Sequence, residues 1–182
     1  MNPKRPIKFA LVTAIVSASF SMLPVQDCLS QQVGTEAFLT LISPLPIHRV
    51  DELIVGTRLS KISLQSSGPI PNFATGLIKD PNGKFITGST DEAYSYIATY
   101  GVQSLNNDKL GIAVIYPTDQ LKEISEDGLS HVLVFGAEDD TLHYYFLAAW
   151  EQEPDGIGDE AQFKAYLEEE VLKLSHPVHI AD

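Results

Sequence analysis

The residues best suited to acid–base chemistry gather around one predicted β-hairpin. The hairpin joins a strand over residues 131–135 to a strand over residues 141–150 through a five-residue loop. If the loop closes symmetrically, His131 faces Tyr145, and His143 lies on a diagonal of about 7–8 Å. We therefore predict His131 and Tyr145 as proton-transfer groups and His143 as a substrate-binding group. The alternative is that these histidines are half-exposed strand residues whose imidazoles are satisfied locally.

Acidic and aromatic residues follow directly at the end of the longer strand. Glu151 and Glu153 have the residue types of a glycosidase acid and base, and we predict Glu151 as a catalytic residue. A solvated acidic turn is the alternative for this pair. Trp150 has a flat ring that can cover the apolar face of a pyranose, so we predict that it binds substrate. The alternative is that Trp150 and the tyrosines belong to the core.

Several classes of function lack their signature in this chain. There is no Gly-rich phosphate loop after a strand, no Gly-x-Ser-x-Gly turn and no zinc-peptidase helix. The 182 residues carry 12 Lys and Arg against 24 Asp and Glu, and a formal net charge of -12 argues against nucleic-acid partners. We predict no metal and no cofactor, because His176 and His179 follow the last predicted helix near a terminus and the acidic residues 138–140 suit a solvated loop.

The elements that must position these residues are mostly strands. Alternating or continuous apolar runs predict strands near residues 59–65, 73–79, 84–87, 94–100 and 110–116, in addition to the two of the hairpin. The turn Asp80–Gly83 predicts a second hairpin. Asp159, followed by Gln162, resembles a capping box before an apolar stripe, so a helix is predicted next, ending at Pro177. The predicted fold is an antiparallel β-sandwich with one C-terminal α-helix.

The N-terminal residues have the order of a secretory signal. A basic head that contains Lys4, Arg5 and Lys8 precedes an interrupted apolar run that is too short for a membrane helix. We predict a signal peptide over residues 1–30, a single domain over residues 31–182, and a periplasmic or extracellular location. A lipid anchor on Cys28 is the alternative. Residues 31–48 are predicted as an extended lead-in or an edge strand.

Two strings resemble a known family. Tyr100-Gly-Val-Gln-Ser-Leu105 and Tyr144-Tyr-Phe-Leu-Ala-Ala-Trp-Glu151 are similar to the C-terminal half of a secreted bacterial family whose domain has no assigned function. Its members are often encoded beside enzymes that degrade uronic-acid polysaccharides such as pectin, ulvan or alginate. The resemblance covers about residues 49–178 and implies a large β-sandwich and a role in polysaccharide use. Gln103 lies in the first string, and we predict that it binds substrate.

The resemblance leaves two classes of function open. One is a hydrolase or lyase that acts on acidic oligosaccharides; the other is a non-catalytic module that binds carbohydrate or a partner, or a truncated inactive family member. Because family members are about twice as long, a partial sandwich that dimerises or takes its missing half from another chain is a further expectation. An acidic sugar also needs a local cation. The lysines and arginines after the leader are Arg49, Arg58, Lys61, Lys79, Lys84, Lys109, Lys122, Lys164 and Lys173.

Overall fold

The computed structural model describes residues 47–137 and 140–177. Its elements, in chain order, are the strands β1 (Ile47–Leu53), β2 (Leu59–Ser66), β3 (Phe73–Ile78), β4 (Gly83–Thr87), β5 (Tyr94–Gly101), β6 (Leu110–Pro117), β7 (Leu121–Glu126), β8 (Ser130–Phe135) and β9 (Thr141–Trp150), and the helix α1 (Glu160–Ser175). No helix of these residues is long and apolar enough to cross a membrane.

The strands form two antiparallel sheets of unequal size. The large sheet has six strands in the order β1-β2-β9-β6-β5-β4, and the small sheet has three in the order β3-β8-β7. An apolar cluster lies between the facing sides of the two sheets, with side chains such as Ile97, Val114, Leu133, Phe135 and Leu142 almost fully buried. The predicted β-sandwich with a C-terminal helix is therefore confirmed.

The helix covers part of the outer side of the large sheet. Its apolar stripe, which includes Phe163 and Leu167, packs over β5 and β6 in a second buried cluster. Asp159 is the N-cap and accepts a hydrogen bond from the Gln162 amide at 2.8 Å, as the capping pattern predicts. Gly111 is required beneath the helix, because a Cβ there would lie 2.6 Å from ring carbons of Phe163.

Both predicted hairpins are wrong, although their strands exist. The strand β8 pairs with β3 and β7 in the small sheet, whereas β9 pairs with β2 and β6 in the large sheet. The connection between them therefore crosses from one sheet to the other. The turn Asp80–Gly83 likewise joins β3 of the small sheet to β4 of the large sheet. His131 consequently does not face Tyr145.

Two edge strands, β7 and β1, also bear on the predicted elements. The strand β7 was not predicted, because it is short and mostly exposed and shows no clear alternation. An edge strand was expected over residues 31–48, and β1 is an edge strand that begins at Ile47. The remainder of that range, the predicted signal peptide and Cys28 lie outside the described residues.

Candidate functional site

The part of the large sheet's outer face that α1 leaves uncovered carries a group of polar and aromatic side chains. Strand pairing places Lys61 directly opposite Tyr145, and Ser63 directly opposite His143. Residues that face each other in an antiparallel pair project to the same side of the sheet. Tyr94, at the start of β5, completes the group through an edge-to-face contact with Tyr145, with ring centroids 5.9 Å apart.

A shallow cleft of about 370 Å³ borders this group of side chains. We call it the tyrosine–histidine cleft. It is lined by Ala93, Tyr94, Pro117, Thr118, Asp119, Gln120 and His143. The Oε1 atom of Gln120 is buried behind this lining and has no hydrogen-bond partner among the described residues.

Tyr94, which lines the cleft, and Tyr145, which lies beside it, are hydrogen-bond donors at neutral pH. Burial raises the pKa of Tyr145, and burial together with neighbouring Tyr145 and Asp119 raises the pKa of Tyr94. Both phenols therefore keep their protons. Tyr145 is only 9% exposed, so its ring belongs to the core and its contribution to a ligand is limited to the hydroxyl edge.

Exposed polar groups surround the tyrosines. The Nδ1 atom of His143 lies 2.9 Å from the Ser63 hydroxyl, which leaves Nε2 on an exposed side chain. The Nζ atom of Lys61 lies 3.4 Å from Glu52, and both side chains are substantially exposed. The site thus combines phenol donors, an imidazole that can donate or accept, and an ammonium group whose carboxylate partner is weakly held.

His131 lies away from this cleft, on the inner side of the small sheet. Its ring stacks on Phe85 with centroids 3.9 Å apart, so it fills the space between β8 and the edge strand β4. Burial and the positive charge of Lys79 lower the pKa of His131, while Glu126, 3.8 Å from Nδ1, opposes that shift. These contacts describe a packing role between the two sheets.

Glu151 and Trp150 lie at the opposite end of the large sheet from the cleft. Glu151 accepts a hydrogen bond from the Lys109 amide at 3.1 Å, and Trp150 pairs with Leu110 in the sheet. Glu153 accepts from the Trp150 amide at 3.1 Å and forms an ion pair with Arg58 at 2.7 Å. Both glutamates therefore brace the turn that follows β9.

Gln103 is at this same end and is fully engaged with the main chain. Its side-chain nitrogen donates to the carbonyls of Leu110 at 2.8 Å and Thr99 at 3.1 Å. These bonds hold the loop between β5 and β6 closed. Of the six predicted site residues, the structure therefore brings His143 and Tyr145 to one cleft, gathers Gln103, Trp150 and Glu151 at the far end, and leaves His131 apart.

Sequence reasoning did not identify Tyr94 and Gln120 as site residues, and it named Lys61 only as one of nine cations that could bind an acidic sugar. Tyr94 and Lys61 come from strands that are distant from β9 along the chain, and only the pairing of β2 and β5 with their neighbours reveals their proximity. The one available signal was the alternation within β9, which already places His143 and Tyr145 on the same side.

The described residues contain no cluster of three or more His, Cys, Asp and Glu side chains arranged to hold a metal. His176 approaches Glu92 at 3.2 Å, whereas its predicted companion His179 lies outside the described residues.

Comparison with known proteins identifies one relationship. No curated protein and no solved structure matches this chain. One family model matches residues 44–180, which is more than half of the chain and includes every described strand and the helix. The chain therefore belongs to the family described as Domain of unknown function (DUF4861).

Proposed function

We propose that this chain is a secreted carbohydrate-active protein that acts in the breakdown of uronate-containing polysaccharides. The saccharide would bind at the tyrosine–histidine cleft. The observation that carries the proposal is the placement of Tyr94, His143 and Lys61 on one uncovered side of the large sheet, beside that cleft. Sugar hydroxyls both donate and accept hydrogen bonds, and the cleft offers both kinds of partner.

A uronate carboxylate needs a cation, and Lys61 is the cation at this site. Arg49 lies on the inner side of the large sheet, opposite to Lys61, while Lys79 and Lys84 form ion pairs with Glu126 and Glu160. The pair between Lys61 and Glu52 is exposed and 3.4 Å long, and exposed pairs of this kind contribute only about 0–1 kcal/mol. A uronate carboxylate can therefore replace Glu52 as the partner of Lys61 at small cost.

A non-catalytic binding module is the second candidate. The observation that favours it is the dispersal of the predicted catalytic groups: His131 stacks on Phe85 inside the sandwich, and Glu151 braces a turn at the far end. If the protein is a hydrolase or lyase, proton transfer has to come from His143 and Tyr145, which share one side of β9.

The test is a titration of the full chain with oligosaccharides of polygalacturonate, alginate and ulvan by isothermal calorimetry. Each mixture is also assayed for new reducing ends and for the ultraviolet absorbance of an unsaturated uronate. We expect saturable binding of one glycan class. Lys61→Met should weaken it about tenfold, because a hydrogen bond to a charged group contributes about 1.5 kcal/mol.

Lys164→Met is the matched control, since it removes the same charge from the exposed face of α1, away from the cleft. It should leave the affinity unchanged. Binding without product supports the non-catalytic module; product that disappears in Tyr145→Phe supports the enzyme. If no uronate glycan binds, or if the two lysine variants weaken binding equally, the proposed site is wrong.

A further inference from the structure

The strand β1 is an edge strand whose outer side carries unpaired main-chain groups. It pairs with β2 on one side, and no other strand of the described residues lies against its second side. The Ile54 amide donates to the Leu59 carbonyl at 3.1 Å, in register with the ladder of β1 and β2. Because main-chain directions alternate along a strand, the amides of Arg49 and Asp51 point outward.

This edge strand is longer than the three other edge strands of the described sheets, β3, β4 and β7. Opposite it, β4 has only five residues, and β7 contains a register shift between Leu121 and Glu123. In contrast, β1 has seven residues, no proline and an unbroken register. Its apolar side chains are also exposed, with Val50 at 42% and Leu53 at 82%. A long, regular edge of this kind can pair with another strand whose charges complement its own.

The sequence of β1 shows which strand fits. It reads Ile-His-Arg-Val-Asp-Glu-Leu from residue 47 to residue 53. An antiparallel copy centred on Val50 places Ile47 opposite Leu53, His48 opposite Glu52 and Arg49 opposite Asp51. Every position then meets a residue of like polarity or opposite charge.

We propose that β1 pairs antiparallel with β1 of a second copy of this chain, about a two-fold axis at Val50, to form one continuous sheet. The outward amides and carbonyls of Arg49 and Asp51 then exchange hydrogen bonds across the axis. The Arg49–Asp51 ion pair within each strand, 2.7 Å long, becomes part of a four-charge cluster. Such an interface is isologous, because each copy contributes the same residues.

Charge reversal tests this pairing without altering the side of β1 that faces β2. In Asp51→Arg, two arginines of one copy face two of the other; in Arg49→Asp, aspartates face aspartates. Sedimentation of the wild-type full chain should give a mass about twice 19.9 kDa. Each single variant should dimerise about tenfold more weakly, because favourable cross-strand charge pairs are replaced by repulsive ones.

An equimolar mixture of the two variants should restore the dimer, since arginines of one chain then face aspartates of the other. This recovery shows that neither variant failed by misfolding. Glu123→Arg, on the exposed face of β7, is the control and should dimerise like the wild type. A monomeric wild-type chain would overturn the proposal, as would variants that dimerise normally or whose mixture fails to recover.

Discussion

Replacing His131 by phenylalanine should remove a pH dependence of stability that the native chain has at pH values just below 6.5, the ordinary pKa of histidine. Burial and Lys79 lower the pKa of His131 below its ordinary value of 6.5. In the window between the lowered folded pKa and 6.5, the unfolded chain binds a proton that the folded chain does not bind. The free energy of unfolding must therefore rise with pH through this window.

The structure bounds the size of this effect. A difference of one bound proton changes the free energy of unfolding by at most about 1.4 kcal/mol per pH unit. This full slope is reached only if the folded pKa lies well below the unfolded one. His131, whose side chain is 13% exposed, is a single titrating site. Its effect on the free energy of unfolding therefore stays within this limit. Phenylalanine keeps the ring stacked on Phe85 while it removes the titration.

Urea unfolding of the native chain and of His131→Phe at half-unit intervals supplies the measurement. The difference in unfolding free energy, native minus variant, should increase as the pH rises toward 6.5 and level off above it. The other titrating groups occur in both chains and cancel in the difference, except Glu126, which His131 contacts and whose pKa lies below its ordinary value of 4.5 and so outside this window. A flat difference, or one that falls as pH rises, refutes the lowered pKa of His131.

Two packing predictions concern the end of the sandwich under α1. Gly111→Ala places a Cβ 2.6 Å from the Phe163 ring and should lower the free energy of unfolding, measured by urea unfolding, by about 1–3 kcal/mol. Gly128→Ala is the control, because a Cβ there meets nothing within 4 Å, and it should lower the free energy of unfolding far less. Arg58→Met removes the 2.7 Å ion pair with Glu153 and the contact with the Tyr166 ring of the helix, and should lower the free energy of unfolding by about 1 kcal/mol. This loss should be smaller in 1 M salt, and an equal loss at both salt concentrations would contradict the role of the ion pair.

The elements of this fold could be predicted because their signals are local. The helix follows from a capping residue and a stripe of apolar residues, and its first turn forms as the pattern indicates. Most strands follow from period-two alternation. These local sequence patterns do not determine which sheet a strand joins. Both sides of β9 are apolar, because one packs between the sheets and the other packs beneath the helix, so alternation could not select its partner.

The candidate site was only half predictable for the same reason. His143 and Tyr145 lie on one strand, and their shared side follows from alternation alone. Tyr94 and Lys61 reach the cleft through pairings between strands that are far apart in sequence. Placing His131 beside Tyr145 required the hairpin, and that assumption failed because a five-residue loop can cross between sheets as readily as it can turn within one.

The proposed dimer and the proposed saccharide site have a joint consequence. A two-fold axis that relates antiparallel strands within a sheet is perpendicular to that sheet, so the outer sides of both copies, and both clefts, would face the same way. A polysaccharide long enough to reach both clefts would bind with an avidity gain on the order of 10²-fold, whereas a short oligosaccharide would not. Asp51→Arg should reduce this gain for the polymer and leave oligosaccharide affinity intact, as measured by calorimetry with both ligands. An equal loss for both ligands would show that β1 supports the cleft itself rather than joining two of them.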